Sequence, residues 1–156
     1  MDLVTDPPDA VSVGLLTKDR AERLADQLIA MIVDSTWDNW GREQLLAMRA
    51  QKWERSLLAT RGGRPVGWAV VSQTDRGAHL HHIVVAKHER SAGVGALLMT
   101  ELLQRTRPGV LTLKVHPDNA AAARFYLRLG FDEQSRSPSG YRVFSSRTSD
   151  DKESAT

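Results

Sequence analysis

Cysteine is absent from all 156 residues, so the chain has no disulfide frame, no thiolate zinc site and no thiol nucleophile. Cysteine-based scaffolding and thiol catalysis both drop out. No apolar run approaches the roughly 18 residues that cross a bilayer. The start, Met1-Asp2-Leu3-Val4-Thr5-Asp6-Pro7-Pro8-Asp9, also lacks a basic region followed by a hydrophobic one. A cytoplasmic protein with no membrane association is therefore expected. Internal repeats and linkers are missing too, and a chain of this length with 41% apolar residues suits one domain around one core.

What charge there is lies unevenly. Of the 19 acids, three fall in residues 1–10 and three in 147–156, which also hold two of the 21 bases, so residues 11–146 carry six more bases than acids. That excess suits a polyanionic ligand, either a nucleotide cofactor or an RNA. Arginine outnumbers lysine 16 to 5, which fits bidentate phosphate contacts or a GC-rich genome equally well. Residues 1–10 and 145–156 offer little to bury and read as flexible ends around a folded domain over 11–144.

Within that domain the pattern predicts a strand over Val11 to Leu16, with Thr17 as N-cap of an amphipathic helix over Lys18 to Val33. A second helix is predicted over Arg42 to Trp53. Strands follow at Ser56 to Thr60, Pro65 to Gln73 and Ala78 to Ala86, with turns at Arg61-Gly62-Gly63 and Asp75-Arg76-Gly77. The order then becomes helix (Val94 to Arg105), strand (Val110 to Val115), helix (Asn119 to Leu129) and two strands (Phe131 to Ser135, Tyr141 to Ser145). Strands before and between helices give a mixed α/β sheet with helices on both faces.

Two segments carry chemistry. Arg90-Ser91-Ala92-Gly93-Val94-Gly95 leaves a strand and opens a helix, so glycines and successive backbone N–H groups meet the positive end of a helix dipole. It is neither a P-loop, since no Gly-Lys-Ser/Thr follows, nor a dinucleotide fingerprint, since Leu98 stands where a third glycine would be. A ligand-free turn remains the alternative. The second segment runs Asn119 to Phe131, introduced by Pro117-Asp118 and ended by Gly130. Asn119 and Tyr126, seven residues apart, share a helix face with Ala122 between them, which leaves a groove for a slender chain. Tyr126 as a core aromatic is the plainer reading.

Together, Arg-x-x-Gly-x-Gly (90–95) and Asn-x-x-Ala-x-x-Phe-Tyr-x-x-x-Gly-Phe (119–131) resemble the cofactor motifs of the GCN5-related N-acetyltransferases. The resemblance implies a mostly antiparallel mixed sheet whose two central parallel strands, Leu80 to Val85 and Leu111 to Val115, splay to admit acetyl-coenzyme A. It implies that the backbone of Ile83, Val84 and Val85 pairs with the pantetheine arm. Arg90, Ser91, Ala92, Gly93, Val94 and Gly95 would hold the pyrophosphate, and Asn119 and Tyr126 would contact the cofactor.

In His79-Leu80-His81-His82, strand alternation puts His79 and His81 on one face and His82 on the other, provided no bulge intervenes. The His-x-His spacing, with Arg90 nine residues after His81, is similar to that of the arylalkylamine N-acetyltransferases, which implies His79, His81 and Tyr126 as catalytic residues. Imidazole can take the proton an ammonium must lose before attack, and a phenol can return one to the leaving thiolate. No carboxylate or cysteine accompanies the pair within the strand, so no metal is expected. His82 and His88 read as structural and solvated, and His116 is the reserve base. Lys114 occupies the position where the ribosomal-protein N-terminal acetyltransferases carry a catalytic Glu, which speaks against their mechanism here.

The family resemblance also implies that the first two helices and the last hairpin wall the acceptor site, here Trp37-Asp38-Asn39-Trp40 and Ser137 to Tyr141. Trp37, Asp38 and Trp40 could hold an organic cation, or simply pack a helix junction. The expected activity is direct transfer of acetyl from acetyl-coenzyme A to a small-molecule primary amine, by a monomer or homodimer. A peptide or protein amine, an aminoacyl-tRNA donor and a silent coenzyme-binding module are the alternatives.

Overall fold

Apolar alternation in Val11, Val13 and Leu15 makes the edge strand β1 (Val11–Leu15) in the computed structural model, which describes residues 10–32, 40–90 and 92–146. Thr17 accepts from the Arg20 N–H at 3.2 Å and caps helix α1 (Lys18–Ala30). The helix closes at Met31, whose N–H returns to the Leu28 and Ile29 carbonyls; Val33, where the stripe was expected to end, lies outside the described residues. Where the sequence predicts one helix over Arg42 to Trp53, two short ones form, α2 (Arg42–Leu46) and α3 (Lys52–Arg55). Lys52 accounts for the break. Its buried ammonium donates to the carbonyls of Leu45, Ala47 (2.7 Å) and Gln44 (3.4 Å), filling acceptors that the end of α2 leaves open.

Six more strands follow: β2 (Leu57–Arg61), β3 (Arg64–Thr74), β4 (Gly77–Val85), β5 (Leu111–Val115), β6 (Asp132–Arg136) and β7 (Arg142–Ser145). With α4 (Val94–Thr106) and α5 (Ala120–Arg128) they form a seven-stranded sheet of order β1-β2-β3-β4-β5-β7-β6. Every neighbouring pair is antiparallel except β4–β5. Helices cover both faces. Leu98, Met99 and Leu102 of α4 and Ala123 and Tyr126 of α5 bury against Leu57, Ala69, Val71, Leu80 and Leu113. On the opposite face Ala21, Ala25 and Leu28 of α1 and Leu45 of α2 bury against Leu58, Trp68, Val70 and Val84. Among the described residues no helix is long and apolar enough to cross a membrane.

Two irregularities position everything that follows. Parallel pairing of β4 with β5 covers only Ala78–Leu111, His79–Thr112 and Leu80–Leu113. Beyond it β4 stays on β3 as far as Val85–Gly67, and β5 stays on β7 as far as Val115–Arg142, so the two central strands part. The second is a bulge. Val71 faces Leu80 but Val70 faces His82, which leaves His81 as an extra residue in β4. Facing reverses across it: Ala78 and Leu80 join the core under α4, whereas Val84 joins the core under α1 and His82 packs there against Trp40 and Trp68. The expected separation of His82 from His79 and His81 is thereby overturned, and the α1–α2 face holds all three.

Helix α4 can lie this close to the sheet because Gly67 has no side chain. A Cβ there would stand 3.0 Å from the Val84 carbonyl oxygen, 3.1 Å from Val94 and 3.2 Å from Leu98. Gly67→Val should therefore lower unfolding stability by about 1–3 kcal/mol, the usual cost of overpacking a filled core. Urea denaturation measures it, and an unchanged midpoint would show that α4 has room to move.

Candidate active site

The parted strands make an opening that α5 floors and the β6–β7 hairpin closes at one side. His81, His82 and Ile83 line it from β4, Leu113, Lys114 and Val115 from β5, and Asn119, Ala122 and Tyr126 from α5. His116, just past β5, and Tyr141 complete the wall, packed edge to face at 5.4 Å. The helical spacing read from the sequence thus brings Asn119, Ala122 and Tyr126 together. Asn119 is the N-cap of α5: its Oδ1 accepts from the Ala122 N–H at 3.2 Å, which commits the amide oxygen and leaves its nitrogen as the donor toward a ligand. Tyr126 is 7% exposed, its ring wedged edge to face against Phe125 and Phe131.

Past β4 a short 3-10 turn (Lys87–Glu89) leads into Arg90. Gly93 takes φ +86°, a left-handed conformation that side chains resist, and a Cβ there would meet nothing within 4 Å. The loop therefore presents open space before the first N–H groups of α4, which lack intrahelical acceptors. The Arg90 Nε donates to the Val85 carbonyl at 3.2 Å, so that carbonyl, expected to pair with a ligand, is already engaged. A feature the sequence reading missed holds the turn: Arg61 at the end of β2 grips the Glu89 carboxylate through Nε (3.0 Å) and Nη2 (2.9 Å). These residues lie 28 apart, and nothing in the local pattern links them.

The histidines are held by hydroxyls that sequence reading also missed. His81 Nε2 lies 2.7 Å from the Ser72 hydroxyl, and His79 Nδ1 lies 2.7 Å from Thr112 Oγ1. The two rings meet edge to face at 4.8 Å, but His79 does not line the opening. Burial, then Lys114 and Arg49, lowers the pKa of His79. Burial, then Arg49, His79, Lys52 and Lys114, lowers that of His81 to about 3. Both imidazoles are neutral at neutral pH, and the described side chains whose charge acts on them, Arg49, Lys52 and Lys114, are basic. His116 Nδ1 accepts from the Asp118 N–H at 3.1 Å, which occupies the lone pair a reserve base would use. Trp40 stacks on His82 at 4.8 Å and tilts against Trp68, so one ring face is already covered. Trp37, Asp38 and Ser91 lie outside the described residues.

The sequence matches the acetyltransferase (GNAT) family over residues 25–131. The chain belongs to that family. It is similar to the N-alpha-acetyltransferase RimI of Mycobacterium tuberculosis, 31% identical over 144 residues that make up 90% of each chain. Among solved structures, Ard1 from Thermoplasma volcanium has the same fold with TM-score 0.75 at 23% identity, covering 89% of this chain and 98% of the other. The diaminobutyrate acetyltransferase EctA from Paenibacillus lautus, solved with L-2,4-diaminobutyric acid and coenzyme A, gives TM-score 0.70 at 15% identity over 88% and 94%. This GNAT chain is an N-acetyltransferase, and its mixed seven-stranded sheet with a parallel β4–β5 pair matches the fold of those solved structures.

Its electrostatics are open to direct test. In an imidazole NMR titration His81 should titrate near pH 3, far below the ordinary 6.5, and Lys114→Gln should raise the midpoints of both His79 and His81. Burial, the larger cause, should still keep both below 6.5 in that variant. The unfolded chain binds protons more readily at these positions, so stability is full above the unfolded pKa of 6.5 and falls as the pH drops below it. A His81 midpoint at or above 6.5 would contradict this description.

Proposed function

We propose that the protein transfers acetyl from acetyl-coenzyme A directly to a primary amine, with both substrates bound together in the opening between β4 and β5. The observation that carries this reading is the opening itself, bordered by unshared strand backbone, floored by Tyr126 and leading to the glycine turn before α4. Those features fit the donor. On the β5 side, the edge of β4 beyond Leu80 offers peptide groups to an amide-containing arm, and the Asn119 amide nitrogen adds a donor. The space at Gly93 with the start of α4 suits a pyrophosphate. When bound, the donor supplies an activated acyl thioester.

In the step proposed, the neutral amine nitrogen forms a bond to the thioester carbonyl carbon and the carbon–sulfur bond breaks. The products are an amide and free coenzyme A. Tyr126 gives its proton to the departing sulfur and recovers one from the proton the attacking nitrogen releases. His81, with a pKa near 3, is too weak a base to strip an ammonium of pKa near 10 unaided. The burial and the neighbouring cations that keep it neutral also lower the pKa of an ammonium brought beside it, so the surroundings themselves favour the neutral, attacking amine. His81, hydrogen-bonded to the Ser72 hydroxyl, relays the separate proton that an ammonium sheds before attack.

For the acceptor, similarity to RimI supports the α-amine of a peptide, and the fold shared with EctA is equally compatible with a small amine. Gly93→Val should weaken acetyl-coenzyme A binding, measured by calorimetry, because a β-branched residue resists φ +86°; unchanged affinity would remove the phosphate-loop assignment. Tyr126→Phe should leave that affinity intact and lower turnover by about 100-fold to 10,000-fold, the range for general acid catalysis. Wild-type turnover with chemistry rate-limiting would reduce Tyr126 to a packing role.

A further inference from the structure

The acceptor side of the opening carries positive charge and no opposing acid among its described lining residues. Lys114 lines it from β5, exposed, with no hydrogen bond or ion pair among the described residues. Arg49 approaches from the loop between α2 and α3, which is tied over the sheet by the Gln73 N–H donating to the Ala50 carbonyl at 2.8 Å. That bond lies next to Ser72, the partner of His81. Arg49 is likewise exposed and makes no ion pair among the described residues. The third cation nearby, Lys52, is spent on the end of α2. Lys114 in the lining, reinforced by Arg49, whose charge reaches the same imidazoles, repels a bare ammonium and attracts an anion.

We propose that the acceptor carries an anionic group, a carboxylate or a phosphate, beside the amine that is acetylated, and that Lys114, aided by Arg49, holds it. This rests on the acetyl-transfer reading above and narrows its substrate class. The anion neutralises the cations' field on the molecule as a whole and so lets it enter. Its amine, seated beyond that group, then meets a described lining that offers no acid to hold it protonated. A purely cationic acceptor would gain neither effect.

The test uses bisubstrate conjugates in which the coenzyme A sulfur is joined through an acetyl bridge to an amine. One pair carries β-alanine or its neutral amide, and a second pair carries Ala-Glu-Leu or Ala-Gln-Leu. Calorimetry against the full chain should show each acid conjugate binding at least about fivefold tighter than its neutral partner, with the gap closing in high salt. The pair with the larger gap tells whether the anion belongs to a small molecule or a peptide side chain. Lys114→Gln should shrink the gap, and Lys114→Glu should reverse it in favour of an Ala-Lys-Leu conjugate, a reversal that loss of folding cannot produce. Equal binding of acid and neutral conjugates, with acetyl-coenzyme A bound normally, overturns the proposal alone. Failure of acetyl-coenzyme A and every conjugate to bind overturns the donor site, and this proposal with it.

Discussion

Everything in this molecule that bears on chemistry depends on β4 and β5 ceasing to pair after Leu80 and Leu113. Backbone N–H and C=O groups in a sheet interior are costly to leave unsatisfied, so neighbouring strands part only where something else can meet those groups. Here each strand is retained by its other neighbour, β4 by β3 and β5 by β7, while the edges facing one another are released. The bulge at His81 falls at the point of release, where it turns His82 and Val84 toward α1 and leaves Ile83 and Val85 packed on the α4 side. Helix α5 then runs beneath the gap, and its small residues before Phe125 and Tyr126 keep the gap from filling.

Charge sets what that gap can accept. A site built to hold an ammonium by direct attraction would place acids around it, and the described lining offers Lys114 and the neutral imidazole of His81 instead. Such a field works against binding a cation and in favour of the deprotonated amine that attacks a thioester. Transfer then needs less from a general base than the presence of three histidines suggests. Half-buried His79 and His81 are instead anchored by the Thr112 and Ser72 hydroxyls, and buried His82 is pressed between Trp40 and Trp68.

Much of this was legible in the sequence. Strand limits came within a residue or two because apolar alternation and Gly-containing turns mark them locally, and Asn119, Ala122 and Tyr126 fell together because helical periodicity is rigid. Interactions decided by distant partners were not legible. The extra residue at His81 depends on how β3 lies against β4, so alternation alone misassigned His82. The interruption between α2 and α3 depends on Lys52 folding back onto carbonyls five to eight residues earlier, although the residues themselves read as helix formers. Arg61 and Glu89 meet only once β2 and the turn after β4 have been brought side by side. The excess of basic residues was visible, but not that Lys114 would line the opening while the charge of Arg49 reaches the histidines beside it.

The central claim is that the released edge of β4 is where the donor's amide-bearing arm pairs. Amide hydrogen exchange resolved at residues 81–85, with and without acetyl-coenzyme A, tests it most directly. In that segment, amides not bonded to β3 should exchange readily in the free protein and become protected when the donor is present. Protection appearing elsewhere, with exchange at 81–85 unchanged, would contradict the account.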